Sequence, residues 1–250
     1  MSSSQGDNST LDSLMERASA ALVATDYFLA EQLCSRAMKR AHARRDYESM
    51  ARISLPLQEA RRQKLQLAVD ARTVTVFDEA GARQGPKQPG LYVAQPPMTG
   101  ADARAQRELA DRRKVPAVVL AREPLTRSGR WPIVAVTDGL DGRGVSIRVQ
   151  VDPPAGVTPD EQSPTRDRLG AAIDIPWFIS ALERLGDEAI GKLNAQDPAA
   201  HRVDDLLEFL DAWPYHEKLH QRLADACRDA AVDPGPVIVR RRGLVNEWSF

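Results

Sequence analysis

Residues 72–81, Arg-Thr-Val-Thr-Val-Phe-Asp-Glu-Ala-Gly, are where the character of the chain changes. Thr73–Phe77 is β-branched and closes on Asp78-Glu79-Ala80-Gly81, which reads as a strand followed by a turn. Upstream the apolar period is helical. Leu11, Leu14, Met15, Ala18 and Leu22 share one face of a helix, with Asn8, Ser9 or Thr10 as its cap. A second stripe, Ala30, Leu33, Cys34, Ala37, Met38 and Ala41, follows Thr25-Asp26. A third follows Arg45-Asp46 with Tyr47, Met50, Ala51, Ser54 and Leu57. Pro56 is expected to bend or interrupt that third helix near Arg52, with 58–67 as its continuation, because proline has no N–H for the carbonyl four residues back.

The run Asp26-Tyr27-Phe28-Leu29-Ala30-Glu31-Gln32-Leu33-Cys34-Ser35-Arg36-Ala37 resembles the second half of a tetratricopeptide repeat, and Asp46-Tyr47-Glu48 echoes its start. The resemblance implies that Ala30 and Ala37 let antiparallel helices approach closely and that Tyr27 packs between them. The two Asp-Tyr elements are separated by less than the family's period of about 34 residues, and the Trp, Gly and Tyr pattern of its first helix is absent. About one and a half units are present. A solenoid needs about three to stand alone, so this array is expected to lean on the rest of the chain or on a partner.

Downstream, Gly90–Ala94, a helix over 101–113 opened by Thr99-Gly100, and an apolar strand over 115–120 spell a βαβ unit with parallel strands. Trp131–Val136 and Val145–Val151 are joined by Asp138-Gly139-Leu140-Asp141-Gly142, a hairpin signal. Residues 152–165 have the composition of a linker, after which helices return. Pro176 opens one, Asp197-Pro198 opens another bearing Val203, Leu206, Leu207 and Leu210, and Trp213-Pro214 separates it from the next. Val237-Ile238-Val239 reads as an edge strand. The expected class is α+β: a lead-in without order over 1–8, a repeat-like helical unit over 9–68, a small mixed sheet over 69–152, and a helical subdomain over 153–250 packed on the sheet.

Composition narrows the function classes. Of 250 residues 42% are hydrophobic, enough to bury a core without disulfides or metals. With 34 basic and 35 acidic residues and a net charge of -1, no global field attracts nucleic acid or an anionic membrane. Cys34 and Cys227 lie in helix-like patterns, as reduced thiols of a cytoplasmic protein would. No stretch approaches the roughly 18 apolar residues of a membrane span. Abundant Ala and Arg suit a bacterial, GC-rich genome.

The most pointed chemical string is His216-Glu217-Lys218-Leu219-His220, which has the His-Glu-x-x-His form of zinc peptidases. On a helix the two imidazoles would share a face and reach one zinc, with Glu217 as general base and Glu247 as the third ligand. Lys218 beside the metal and Pro214 at the helix start oppose this, and the expected reading is polar residues in a solvated first turn. Gly139–Gly144 lies between strands, so it reads as a hairpin turn and not a phosphate loop. The amides at Thr99-Gly100-Ala101 could hold an anion, although every crossover helix has such an end. Arg122, Arg127 and Arg130 beside Trp131, and Arg240-Arg241-Arg242, are basic runs expected to be solvated or salt-bridged. No serine-hydrolase elbow, Walker loop, Cys-x-x-Cys pair or kinase signature occurs. The expectation is a non-enzymatic protein–protein interaction or adaptor module, its face drawn from the first two helices, with a protein partner and no cofactor, catalytic residue or resident metal assigned. A zinc hydrolase using His216, His220, Glu217 and Glu247, and a phosphate or nucleotide binder on the βαβ unit, are the alternatives.

Overall fold

The computed structural model describes residues 10–77, 84–124, 128–137, 144–157 and 173–236. The lead-in, the turn at 78–81, Arg127, the glycines at 139 and 142, most of the segment after 157, the expected strand at 237–239, Arg240–Arg242 and Glu247 lie outside them. Helices α1 (Leu11–Val23), α2 (Tyr27–Ala43) and α3 (Tyr47–Asp70) follow one another through two near-identical turns. In each, the last helical carbonyls are met by a backward-reaching amide, Asp26 N to Ala21 O and Asp46 N to Ala41 O, both at 2.9 Å. The reversal passes through a left-handed residue, Thr25 at φ 60° and Arg45 at φ 54°, positions more often held by glycine. The following aspartate caps the next helix: Asp26 Oδ1 accepts from Leu29 N and Asp46 Oδ1 from Ser49 N. Thr10 is the cap of α1.

Ala21 of α1, Ala30 of α2 and Ala60 of α3 form one small cluster, so three methyl groups set how closely the three helices approach. Ala37 is likewise fully buried, and Tyr27 is half-buried at the start of α2. Ala30→Leu is expected to force the helices apart and to lower stability by about 1–3 kcal/mol, read as a lower denaturant midpoint with an unchanged slope. The outward side of α1, Asp12, Glu16, Ser19 and Ala20, is polar or small and exposed. Contrary to the expected interruption, α3 runs unbroken through Pro56 for 24 residues. Its buried stripe, Met50, Ile53, Leu57, Ala60, Lys64 and Ala68, runs alongside the half-buried Pro56 and holds the helix together by packing.

Strands β1 (Val74–Phe77), β2 (Gly90–Ala94), β3 (Ala117–Arg122), β4 (Trp131–Val136) and β5 (Ser146–Val151) form a mixed sheet in chain order. β1, β2 and β3 are parallel, with Val74 opposite Leu91 and Leu91 opposite Val118. β4 and β5 add antiparallel. Helix α4 (Gly100–Arg112) is the β2–β3 crossover and covers one face, where Ala103 and Ala110 meet Phe77, Tyr92, Ala94, Val119 and Ala121. The strand expected over 115–120 lies two residues later. Pro116 offers only its carbonyl, to Gly90 N, and pairing runs on to the buried Arg122.

The other face, with Leu91, Val93, Val118, Leu120, Ile133 and Ile147, joins the core of α1–α3 and of α5 (Ile175–Gly191), α6 (Ala199–Ala212) and α7 (Glu217–Val232). One core thus takes residues from all three segments that the sequence separates. Helix α7 lies along α3 and runs against it: the start of α3 and the end of α7 meet at one cleft, while His220, near the start of α7, lies in the field of Arg61. The support that the short array needs comes from this C-terminal helix. Charged clamps tie the layers at the sheet's rim. Lys64 of α3, 5% exposed, joins Glu31 of α2 at 2.6 Å and Asp111 of α4, and Arg61 joins the same Glu31 at 2.7 Å. Buried Arg107 of α4 donates to the carbonyls of Ala212 and Asp211 at the end of α6, at 2.7 and 2.8 Å.

Candidate functional site

The His-Glu-x-x-His string does not lie on one helix. His216 is the cap residue before α7, with extended backbone (φ -91°, ψ 115°), so the two histidines do not stack as i and i+4. Neither is solvated, against expectation: His216 is 0% and His220 1% exposed. The cause is the turn at Trp213–Tyr215, which packs inward, Trp213 Nε1 donating to Leu182 O at 3.2 Å and Tyr215 Oη to Ala117 O at 3.1 Å. The ring of His216 lies flat on α5 where residue 186 is glycine, since a Cβ there would stand 2.1 Å from the imidazole Cγ. Its Nε2 is 3.2 Å from Glu183 Oε2 and 3.4 Å from Asp187 Oδ1, within ion-pair reach but off hydrogen-bond geometry. Asp187 also pairs with Lys218.

His220 turns elsewhere and pairs through Nε2 with Pro214 O at 3.1 Å. Burial first, and the positive field of Arg61 second, lower its pKa to about 3, so it is neutral and Nε2 carries the donated hydrogen. Glu217 is exposed, and Glu247 lies outside the described residues. Among the described residues no group of three or more His, Cys, Asp or Glu side chains is placed to hold a metal ion.

The helix start after β2 also differs from an anion site. Thr99 and Asp102 form a capping box, and the Asp102 carboxylate accepts from Thr99 N at 2.7 Å. A negative group of the chain itself thus occupies the end that a phosphate would seek. Gly100 is buried against Val134 and Val136 and not presented to solvent. Beyond β4 the hairpin is closed by Val145 N donating to Thr137 Oγ1 at 2.7 Å. Arg122, expected in a solvated loop, is 0% exposed with its guanidinium 4.5 Å from the ring centre of Trp131. Burial lowers its pKa to about 10. Arg130 pairs with Asp152 at 3.1 Å.

Two concavities bring functional side chains together, and neither has a local sequence signal. The larger, about 730 Å³, lies where the ends of α2, α3, α6 and α7 converge. There His42 Nε2 meets Asp204 Oδ1 at 2.8 Å across 162 residues of chain, with Tyr47, Glu48 and His201 on the walls. The second, about 640 Å³, is a groove between α1 and α3 lined by Leu11, Met15, Ile53 and Pro56, with Asp12 and Glu16 on one rim and Arg52 on the other. Arg52 and Pro56 line it together, and Pro56 has no N–H to give to the Arg52 carbonyl. Comparison with known proteins finds no match at a significant level, whether to family models, curated proteins or solved structures.

Proposed function

We propose that this chain is a non-enzymatic interaction module whose α1/α3 groove receives a peptide segment of a partner protein. The observation that carries the reading is the groove itself, with Leu11, Met15, Ile53 and Pro56 along it and Asp12, Glu16 and Arg52 at its rims. Support comes from the resemblance of 26–48 to a tetratricopeptide repeat and from the three alanines that set the helix spacing. The face shifts from the first two helices to the first and third, because α2 is the inner helix, with six buried positions between α1 and α3.

The test places a photo-crosslinking residue at exposed Ser19, on the groove, and a second at Glu108 on α4 as control, in otherwise intact chain. Proteins captured at position 19 and not at 108 are expected to fall at least tenfold in yield when Met15→Lys charges the groove floor. Equal capture at both positions, or capture insensitive to Met15→Lys, would overturn the reading.

A further inference from the structure

We infer that the cleft at the ends of α2, α3, α6 and α7 receives a cationic side chain, arginine or lysine, from a partner polypeptide. The inference rests on the interaction reading but concerns a different surface, framed by helix ends and not by the groove.

Charge is the first argument. Among the described residues Asp46, Glu48 and Asp204 line the cleft with Arg45 as its one guanidinium, and His42 already engages one oxygen of Asp204. Helix ends push the same way. The two positive ends are already satisfied: Asp46 caps α3, and the first amides of α6 are taken by carbonyls, Ala200 N by Pro234 O at 3.2 Å, His201 N and Arg202 N by Pro198 O at 2.9 and 3.1 Å. The negative end of α7 arrives at Ala230 and Ala231 with no basic residue in its last turn.

His201 is the second, independent argument. It is 9% exposed, lines the cleft, and its ring has no hydrogen-bond partner among the described residues. Its ring nitrogens stay open to solvent, so the imidazole offers the cleft a polar atom that no other described residue uses. A metal would need a third donor that the described residues do not assemble there. A guanidinium or ammonium group brings only donors, and the cleft presents acceptors: the carboxylates of Asp204 and Glu48 and a ring nitrogen of His201. Tyr47, half-buried on the same wall, gives such a cation an aromatic edge or face to rest on.

The test is a titration of the full, isotope-labelled chain with three blocked tripeptides, acetyl-Gly-Arg-Gly-amide and its Gln and Glu counterparts, following the ring signals of its four histidines. The arginine peptide is expected to shift His42 and His201 saturably and to leave buried His216 and His220 unmoved. Asp204→Asn, at a side chain 41% exposed, should keep the fold and weaken binding at least tenfold. Equal shifts with the Gln or Glu peptide, or undiminished binding to the variant, would overturn the inference. So would binding seen only after Arg240, Arg241 and Arg242 are replaced by Gln, which would assign the cleft to the chain's own basic run. Loss of capture at position 19 on Met15→Lys, with no arginine peptide bound, would sink this inference and leave the groove reading standing.

Discussion

Arg107→Ala is expected to cost about 2–4 kcal/mol of stability, since a hydrogen bond from a charged group to a buried carbonyl contributes roughly 1.5–3 kcal/mol. Arg107 is 8% exposed and reaches from α4 to the carbonyls of Asp211 and Ala212, where α6 ends and the chain turns inward through Trp213. A helix C-terminus leaves carbonyls without partners, and buried carbonyls must be met by something. Here one guanidinium meets two of them. The loss would leave the Ala212 carbonyl buried and unpaired and the Asp211 carbonyl with only the longer bond from Arg104 Nη1 at 3.3 Å, together with a void between α4 and the Trp213–Tyr215 turn. Burial lowers the pKa of Arg107 from its usual value, yet a guanidinium has so much room that it stays charged. The neighbour provides the comparison. Arg104 also bonds Asp211, through both carboxylate oxygens, but that carboxylate is 55% exposed, so Arg104→Ala should cost about 1 kcal/mol. Urea midpoints of the two variants decide it: near-equal losses would show that the Arg107 contacts do not hold the helical layer to the sheet. Arg107→Lys should recover less than half, because one ammonium cannot span two carbonyls as a planar fork does.

The helices of the first third were legible because their signals are local. Apolar positions recur within one turn, and Asp26 and Asp46 cap as their positions imply. The parallel pair β2–β3 was legible for the same reason, from strand, helix and strand in order. What stayed hidden depends on contacts across the chain. Arg122 read as loop because a charge rarely ends a buried strand, yet Trp131, directly after the turn, offers its ring to the guanidinium. Pro56 read as a break because the local rule counts one lost hydrogen bond and cannot count the buried stripe that runs the length of α3. His42 and Asp204 meet only because α6 starts where α2 ends, which no spacing within either helix encodes.

The same distinction explains the His-Glu-x-x-His string. Its spacing would have meant one helical face only if the helix began before His216. Pro214 delays that start, so α7 begins at Glu217 and His216 is free to turn toward α5. The inward turn at Trp213–Tyr215 seats His216 on α5, and α7 then docks along α3, which completes the helical layer that α1–α3 leave unfinished. A motif that suggested zinc chemistry thus sits at the joint between the two ends of the chain. The cost of burying His220 without charge is borne by the native state alone, and it should be visible as pH dependence.

Acid should therefore unfold this protein in two stages. His220 is neutral in the native state down to about pH 3, whereas in the unfolded chain it takes a proton below about 6.5. Between those values the unfolded state binds more protons, so stability falls as pH falls, by about 3 kcal/mol between pH 8 and pH 4.5. Glu31 acts later. Burial alone would raise its pKa, but Arg61 and Lys64 outweigh that and hold it at about 2, below the ordinary 4.5. Its contribution is fully present above the unfolded value and is lost as pH drops from about 4.5 toward 2, on the order of 3 kcal/mol. Two substitutions separate the groups. His220→Gln should flatten the fall between pH 7 and 4.5 and make it shallower down to about pH 3, while Glu31→Gln should lower stability at neutral pH, leave the fall between pH 7 and 4.5 in place and make the limb below 4.5 shallower. The readout is the slope of unfolding free energy against pH, so a variant that is less stable throughout still answers the question. If His220→Gln kept the wild-type slope between pH 7 and 4.5, the buried neutral imidazole would not be the group that acid attacks first.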